Sequence, residues 1–172
     1  VDLWIGVVEL VVAETERLLV EAVRLRLISD VPIAALLSGG IDSTLVCWAL
    51  SRLGANVSAF TVGMPEDPSD ESRSAQEIAR RLDVPHENIP LDPTQPPPLE
   101  QLAAAYSEPF AAASALAMLL VSQIVKTRAT VLLTGDGGDD VYLGYPFFYN
   151  CWRAQRIARI APRFSPAIYE AI

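Results

Sequence analysis

The stretch that most constrains the fold runs from Ile33 to Gly54. Ile33–Leu37 is a short, continuous apolar run, which is typical of a strand buried on both faces of a sheet. It stops at the glycine-rich turn Ser38–Gly40, and apolar residues then recur at helical spacing up to Gly54, a residue suited to ending a helix. The sequence therefore predicts a buried strand, a tight loop and a helix in direct succession.

The residues of this turn indicate a binding site for phosphate. A glycine-rich loop that leads into a helix N-terminus presents unpaired backbone N–H groups and the positive end of the helix dipole to an anion. Gly39 and Gly40 allow close approach and φ values closed to other residues, and the hydroxyls of Ser38, Ser43 and Thr44 offer further donors. No lysine follows the glycines, so the turn is a poor match to the Walker loop.

Carboxylates accompany this loop and a second one. A carboxylate repels phosphate unless a divalent cation lies between them, so we interpret Asp42 as a ligand of Mg²⁺. The second loop, Thr134–Asp140, also follows an apolar strand and contains glycines, and it gathers Asp136, Asp139 and Asp140 within five residues. Carboxylates at this density favour a bound cation, and a solvated acidic turn is the alternative. Asp42 and Asp139 form a pair suited to hold Mg²⁺ on a pyrophosphate.

The chain alternates short apolar strands with helices, which predicts an α/β fold with a doubly wound parallel sheet. The predicted elements are helix 7–29, strand 33–37, strand 57–62, helix 70–82, strand 86–89, helix 99–106, a helix capped by Ser114, and strand 130–134. Such sheets bind ligands beyond the carboxyl ends of their strands. Val62 lies at such an end, so its backbone is a candidate adenine contact, and a core position is the alternative. We expect Ala115–Val121, apolar on every face, to be buried.

Composition and charge narrow the class of protein. At 172 residues the length suits one domain, and no apolar run reaches the roughly 20 residues of a membrane-spanning helix. The net charge of −8 argues against a broad nucleic-acid-binding surface and favours a small molecule as the substrate. Cys47 and Cys151 occur without a CxxC spacing or a signal peptide, which predicts reduced packing thiols in the cytoplasm. His86, the only histidine, has no partner motif, so we expect a structural role.

The two loops resemble motifs of a known family. Ser38-Gly39-Gly40-Ile41-Asp42-Ser43 resembles the pyrophosphate loop of the ATP pyrophosphatases, which cleave ATP to AMP and pyrophosphate. Thr134–Tyr145 is similar to the signature S-G-[ED]-G-[SG]-D-E-x-F-x-G-Y of the synthetase domain in the asparagine synthetase family. The resemblance runs from about Glu21 to Tyr145 and includes Ser107-Glu108-Pro109-Phe110. It implies the adenine nucleotide α-hydrolase-like fold, also called the PP-loop fold.

The resemblance also implies roles for individual residues. It implies that the protein uses ATP and Mg²⁺, that Asp42 and Asp139 bind the metal, and that Asp136 is the catalytic acidic residue in forming an acyl-adenylate. The residues expected to contact ATP are Leu36, Ser38, Gly39, Gly40, Asp42, Ser43, Val62, Thr134 and Gly135. In the implied reaction a substrate carboxylate attacks the α-phosphorus, pyrophosphate leaves, and ammonia attacks the activated acyl group, as in asparagine synthesis from aspartate.

Departures from the family pattern leave the acceptor open. Leu143 stands where relatives carry glycine, and Ala111–Ala113 stands where many carry an aspartate after Glu-Pro-Phe. The alternatives are a related ligase for another carboxylate, such as a β-lactam- or peptide-cyclising enzyme, and a non-catalytic nucleotide-binding fragment. We expect residues 1–172 to form one synthetase-like domain that is incomplete at its C-terminus and lacks a glutaminase domain. Ammonia would then come from a separate glutaminase domain or subunit.

Overall fold

The computed structural model describes residues 2–63, 67–68, 70–92, 99–106 and 114–160. The chain divides into two compact units, Val1–Gly135 and Asp136–Ile172. Ser107-Glu108-Pro109-Phe110, which agrees with the family pattern, lies outside the described residues. So does Ala111–Ala113, which departs from that pattern.

The first unit contains one parallel sheet. In chain order its described strands are β1 (Ile33–Leu36), β2 (Ser58–Gly63), β3 (His86–Pro90) and β4 (Val131–Leu133). Their spatial order is β3-β2-β1-β4, and each neighbouring pair is parallel. The chain runs outwards from β1 to β3 and then returns to place β4 on the other side of β1. This confirms the predicted α/β sheet, and the strand order reverses between β1 and β4, where such sheets bind ligands.

The helices follow the predicted alternation, with shifted ends. Those in the described residues are α1 (Asp2–Arg26), α2 (Ile41–Arg52), α3 (Ser72–Leu82), α4 (Leu99–Ala105), α5 (Ser114–Val125), α6 (Gly138–Tyr142) and α7 (Pro146–Ile160). The first helix begins before its predicted start and ends at Arg26, three residues before the predicted end. Among the residues that the structure describes, no helix combines the length and apolar character needed to cross a bilayer.

The end of α2 confirms the interpretation of Gly54. This glycine has φ +60°, and its N–H donates to the carbonyl of Ser51 at 3.0 Å. The N–H of Ala55 donates to the carbonyl of Leu50, also at 3.0 Å. This pair of bonds is the Schellman arrangement, which satisfies the last carbonyls of a helix and turns the chain towards the next strand.

Alternating residues of β1 build a core on each face of the sheet. Ala35 belongs to a core formed with α1, α2 and α3, whereas Ala34 belongs to a second core formed with α5. Successive strand residues face opposite sides, so the continuous apolar run of β1 serves both cores. Cys47 is fully buried in the first core, which confirms its prediction as a packing residue, and burial raises the pKa of its thiol to about 11.

Helix α5 is less buried than its composition predicts. Ala115 and Val121 are buried, but Ala117 is exposed and the residues between them are otherwise half-buried. The prediction that all of Ala115–Val121 is buried is therefore wrong. A helix lying on one face of a sheet buries the stripe that faces the strands, and its remaining sides need further elements to cover them.

Candidate functional site

Residues 37–40 connect β1 to α2 at the carboxyl edge of the sheet. Gly39 has φ +87°, a left-handed conformation that favours glycine, as predicted. Gly40 has φ −72° and ψ 163°, so the prediction of an unusual φ is wrong there, and Gly40 is instead the N-cap of α2. In the described part of the chain no side chain caps this helix end, and its first N–H groups have no intrahelical partner. The loop therefore offers backbone donors to an anion.

Hydroxyl groups hold the shape of this loop. The Ser43 side chain is buried, and its Oγ accepts from the Ser38 N–H at 3.1 Å and lies 3.0 Å from the Ser38 Oγ. The Thr44 Oγ1 donates to the Gly40 carbonyl at 2.7 Å, and the Gly40 N–H donates to the Ser38 Oγ at 3.3 Å. Thr44 and Ser43 therefore brace the loop from inside. Ser38 is exposed, so its hydroxyl is the one best placed to meet a ligand.

Gly135 brings the second loop against the first. It comes shortly after β4, the strand paired with β1. A Cβ atom added at Gly135 would lie 2.6 Å from the backbone nitrogen of Ser43 and 2.8 Å from both the Cβ and the carbonyl carbon of Asp42. Only glycine allows the two backbones to approach this closely. The start of the second predicted loop thus lies against the beginning of α2, at the reversal of strand order.

The acidic part of the second loop belongs to the second unit. Gly137, with φ +91°, precedes the five-residue helix α6, which carries Asp139 and Asp140 in its first turn. Asp136 and Asp140 are exposed, whereas Asp139 is half-buried. The Gly144 N–H donates to the Asp139 carbonyl at 2.9 Å, and a Cβ atom at Gly144 would overlap the Asp139 carboxylate. Gly144 therefore leaves the room that the Asp139 side chain occupies.

Asp42 fits the mode in which proteins bind Mg²⁺. It lies half-buried in the first turn of α2, beside Gly135. Within the described residues, no three His, Cys, Asp or Glu side chains are grouped so that they could hold a metal ion. Mg²⁺ commonly binds through one or two carboxylates together with substrate phosphates and water, so a carboxylate beside a phosphate loop suits it. The pairing of Asp42 with Asp139 stays a prediction.

Leu36 and Val62 lie near the carboxyl ends of adjacent strands. Both side chains are half-buried and pack against the second core, together with Ile89 and Leu132. The side chain of Val62 thus takes the core position that was the alternative interpretation of this residue. A contact between its backbone and adenine stays a prediction. Thr134, which directly follows β4, is half-buried.

Thr61 is a buried residue of β2 whose importance the sequence interpretation missed. Its Oγ1 donates to the Leu37 carbonyl at 2.6 Å and lies 2.7 Å from Nε2 of His86. His86 is therefore part of a hydrogen-bonded network, which agrees with its predicted structural role, and burial lowers its pKa. The available signal was a threonine inside an otherwise apolar strand, since a buried hydroxyl needs a partner.

The parallel sheet with flanking helices and the glycine-rich loops at its carboxyl edge define the fold. It is the α/β fold of the PP-loop, ATP-pyrophosphatase-like proteins. The solved structure of NMN synthetase from Francisella tularensis is similar, with a TM-score of 0.51 and 18% sequence identity over 77% of this chain and 58% of that chain. At this level of identity the likeness shows the fold.

The chain belongs to the asparagine synthase family, because the sequence profile of that family matches residues 14–170. It is 31% identical over 159 residues to a putative glutamine-hydrolysing asparagine synthetase 2 of Methanocaldococcus jannaschii, covering 89% of this chain and 30% of the relative. It is 32% identical over 157 residues to the amidase chyE of Penicillium rubens, covering 81% of this chain and 23% of the relative. The chain thus spans less than a third of either relative's length.

Proposed function

We propose that this chain forms the ATP-using part of an amide-forming ligase, which activates a carboxylate by adenylation and transfers the acyl group to ammonia. The observation that carries the proposal is the approach of Gly135 to Asp42 and Ser43. It supports a nucleotide site at the start of α2, lined by residues 37–40 and by Thr134 and Gly135, at the edge where sheets of this class bind ligands. Membership of the asparagine synthase family supports amide formation and makes aspartate the first candidate acceptor.

The proposed role of each residue follows from its position at this nucleotide site. The backbone N–H of Gly39 and the first N–H groups of α2, which Gly40 caps, bind the phosphates of ATP, and the exposed Ser38 hydroxyl adds a donor. The missing Cβ of Gly135 lets the second turn approach the nucleotide from the β4 side. Leu36, Ser43, Val62 and Thr134 complete the proposed ATP site. Asp42 and Asp139 would hold Mg²⁺, which when bound neutralises phosphate charge.

The proposed chemistry needs little covalent participation by the protein. A carboxylate oxygen of the acceptor attacks the α-phosphorus, the bond from that phosphorus to the bridging oxygen breaks, and pyrophosphate leaves. Ammonia then attacks the acyl carbon, the carbon–oxygen bond to AMP breaks, and the nitrogen loses a proton to solvent. The residues contribute positioning and charge stabilisation. Asp136 is the catalytic residue of the proposal, with the task of orienting the nucleophile.

We further propose that ammonia comes from a glutamine-hydrolysing domain or subunit. The Methanocaldococcus relative is named as glutamine-hydrolysing, and this chain matches 30% of its length. The synthetase-like domain proposed for residues 1–172 would receive ammonia rather than generate it.

Product release tests the proposal directly. The protein is incubated with ATP, Mg²⁺, aspartate and an ammonium salt, and AMP, pyrophosphate and asparagine are measured. We expect AMP and pyrophosphate in equal amounts, in a reaction that depends on the carboxylate. Binding of ATP without turnover would overturn the catalytic proposal and favour the non-catalytic nucleotide-binding candidate. A calorimetric titration without any ATP binding would refute both.

Asp42→Asn tests the metal-binding role. We expect the Mg²⁺-dependent affinity for ATP to fall about tenfold or more, which corresponds to at least about 1.4 kcal/mol, because a charged ligand becomes neutral. The control is Asp30→Asn, the same chemical change at an exposed residue just before β1, at the opposite end of that strand. Equal affinity in Asp42→Asn and the parent protein would show that this carboxylate does not bind the metal.

A ligase acting on a different carboxylate is a second candidate. The observation that favours it is the 32% identity to a relative named as an amidase rather than as an asparagine synthetase. The acceptor distinguishes the two candidates. Pyrophosphate release that is absent with aspartate but present with another carboxylate, in an otherwise identical assay, would decide for the second.

A further inference from the structure

The peptide between Leu37 and Ser38 is held at both of its polar atoms. Its carbonyl oxygen, from Leu37, accepts a hydrogen bond from Thr61 Oγ1 at 2.6 Å. Its N–H, from Ser38, donates to Ser43 Oγ at 3.1 Å. A peptide group is planar, so fixing both atoms fixes the direction in which the chain leaves β1 and enters residues 37–40, the proposed phosphate loop.

The direction of the protons in this network follows from the chemistry of its members. A threonine hydroxyl has one proton, and the Leu37 carbonyl can only accept, so the Thr61 proton points to Leu37. The Nε2 atom of His86, 2.7 Å from the same hydroxyl oxygen, must then be the donor. The hydrogen bonds therefore run from His86 on β3, through Thr61 on β2, to the residue that follows β1.

This network is additional to the ordinary strand pairing. The Leu37 N–H already donates to the Phe60 carbonyl at 2.9 Å, which continues the ladder between β1 and β2. Thr61 adds a side-chain hydrogen bond to the carbonyl of Leu37 itself, and both Thr61 and Leu37 are buried. A buried carbonyl that lost this donor would lack a strong partner, so the loop entrance would loosen. His86 in turn fixes the rotamer of Thr61.

We propose that Thr61 and His86 are positioning residues for the phosphate loop. They hold the Leu37–Ser38 peptide so that the Ser38 hydroxyl and the loop N–H groups are preformed before a ligand arrives. The part of this inference that concerns nucleotide affinity rests on the proposed function. The part that concerns the order of the loop does not, because it is argued only from hydrogen bonds between residues of this chain.

Thr61→Val tests the inference because valine keeps the shape of threonine and removes the hydroxyl. We expect faster amide hydrogen exchange at residues 38–40 in the ligand-free protein, and a 3- to 10-fold weaker affinity for ATP with Mg²⁺, the effect of losing one hydrogen bond. Thr61→Ser keeps the hydroxyl and is the matched control. Its amide exchange at residues 38–40 and its affinity for ATP should equal those of the parent protein. Unchanged exchange at residues 38–40 in Thr61→Val would overturn the inference.

The second pair of variants lies outside the buried core. His86 is half-buried rather than buried. His86→Leu removes the donor, whereas His86→Gln retains a side-chain N–H. Faster exchange at 38–40 in the leucine variant but not in the glutamine variant supports the role of His86. Equal acceleration of exchange throughout the sheet in both variants would indicate general destabilisation and would overturn it.

The two readouts separate this inference from the proposed function. Altered exchange at residues 38–40 with no ATP binding by the parent protein would support the positioning role and refute nucleotide binding. Unaltered exchange with normal ATP affinity in Thr61→Val would refute the positioning role and leave the proposed function supported.

Discussion

Gly135→Ala tests the meeting of the two loops. An added Cβ would lie 2.6 Å from the Ser43 nitrogen and 2.8 Å from two carbon atoms of Asp42, and real Cβ atoms essentially never show such separations. The atoms it meets are backbone and Cβ atoms, which have no side-chain rotation available to them. The loops would have to separate by about 0.8 Å to restore an ordinary contact of 3.4 Å.

The cost of that separation can be worked out from opposing terms. Overpacking of a tight contact costs about 1–3 kcal/mol. Replacing glycine by alanine returns about 0.4–1 kcal/mol, because the unfolded chain loses conformational freedom. The net loss is therefore about 1–2 kcal/mol of unfolding free energy, or a decrease in Tm of about 2–8 °C for a chain of this length. A displacement approaching 1 Å in a catalytic loop also lowers activity up to about 100-fold.

The assay combines thermal unfolding with calorimetric titration of ATP in the presence of Mg²⁺. Gly6→Ala in α1 is the control for stability, since a Cβ atom added at Gly6 would meet no atom within 4 Å. We expect this control to lose no stability, because alanine is favoured over glycine within a helix. If Gly135→Ala unfolds at the parent temperature and binds ATP equally well, the two loops do not meet as described.

Two further predictions concern the backbone after α6 and the single histidine. Leu143 has φ +58° and is exposed, so Leu143→Gly should raise the unfolding free energy, measured by urea unfolding, by up to about 1 kcal/mol. Leu143→Ala should bring no gain. A gain from both variants would exclude backbone strain as the cause. Burial lowers the pKa of His86 below its usual 6.5, so the unfolded state binds more protons there and stability should fall as pH decreases below about 6.5. Because His86 is the only histidine, His86→Gln should remove the slope near pH 6, and an unchanged slope would contradict this assignment.

Local patterns predicted the elements of the sheet well. The strands at Ile33–Leu36 and Ser58–Gly63 and the helix stop at Gly54 follow from apolar runs and a single glycine, which are properties of neighbouring residues. Gly40 illustrates the limit of this reasoning. A glycine permits unusual φ values without requiring them, and at Gly40 the capping of α2 uses an ordinary conformation instead.

Side-chain burial and hydrogen-bond partners were harder to predict, because they depend on residues distant in the chain. The apolar composition of α5 gave no indication that Ala117 would be exposed, since that depends on which elements cover the helix. The role of Thr61 was also hidden. Its partners Leu37 and His86 lie 24 and 25 residues away, on either side of β2, and only the register of the strands brings them together.

The sequence by itself determined that this chain contains two glycine-rich loops, each following an apolar strand, with carboxylates beside them. Glycine, aspartate and an apolar run carry that information locally, through the conformations and charges they allow. The tertiary structure decided that β4 pairs with β1, so that Gly135 reaches Asp42 and Ser43. Strand order depends on packing summed over both faces of the sheet, and that sum is not contained in any one stretch of sequence.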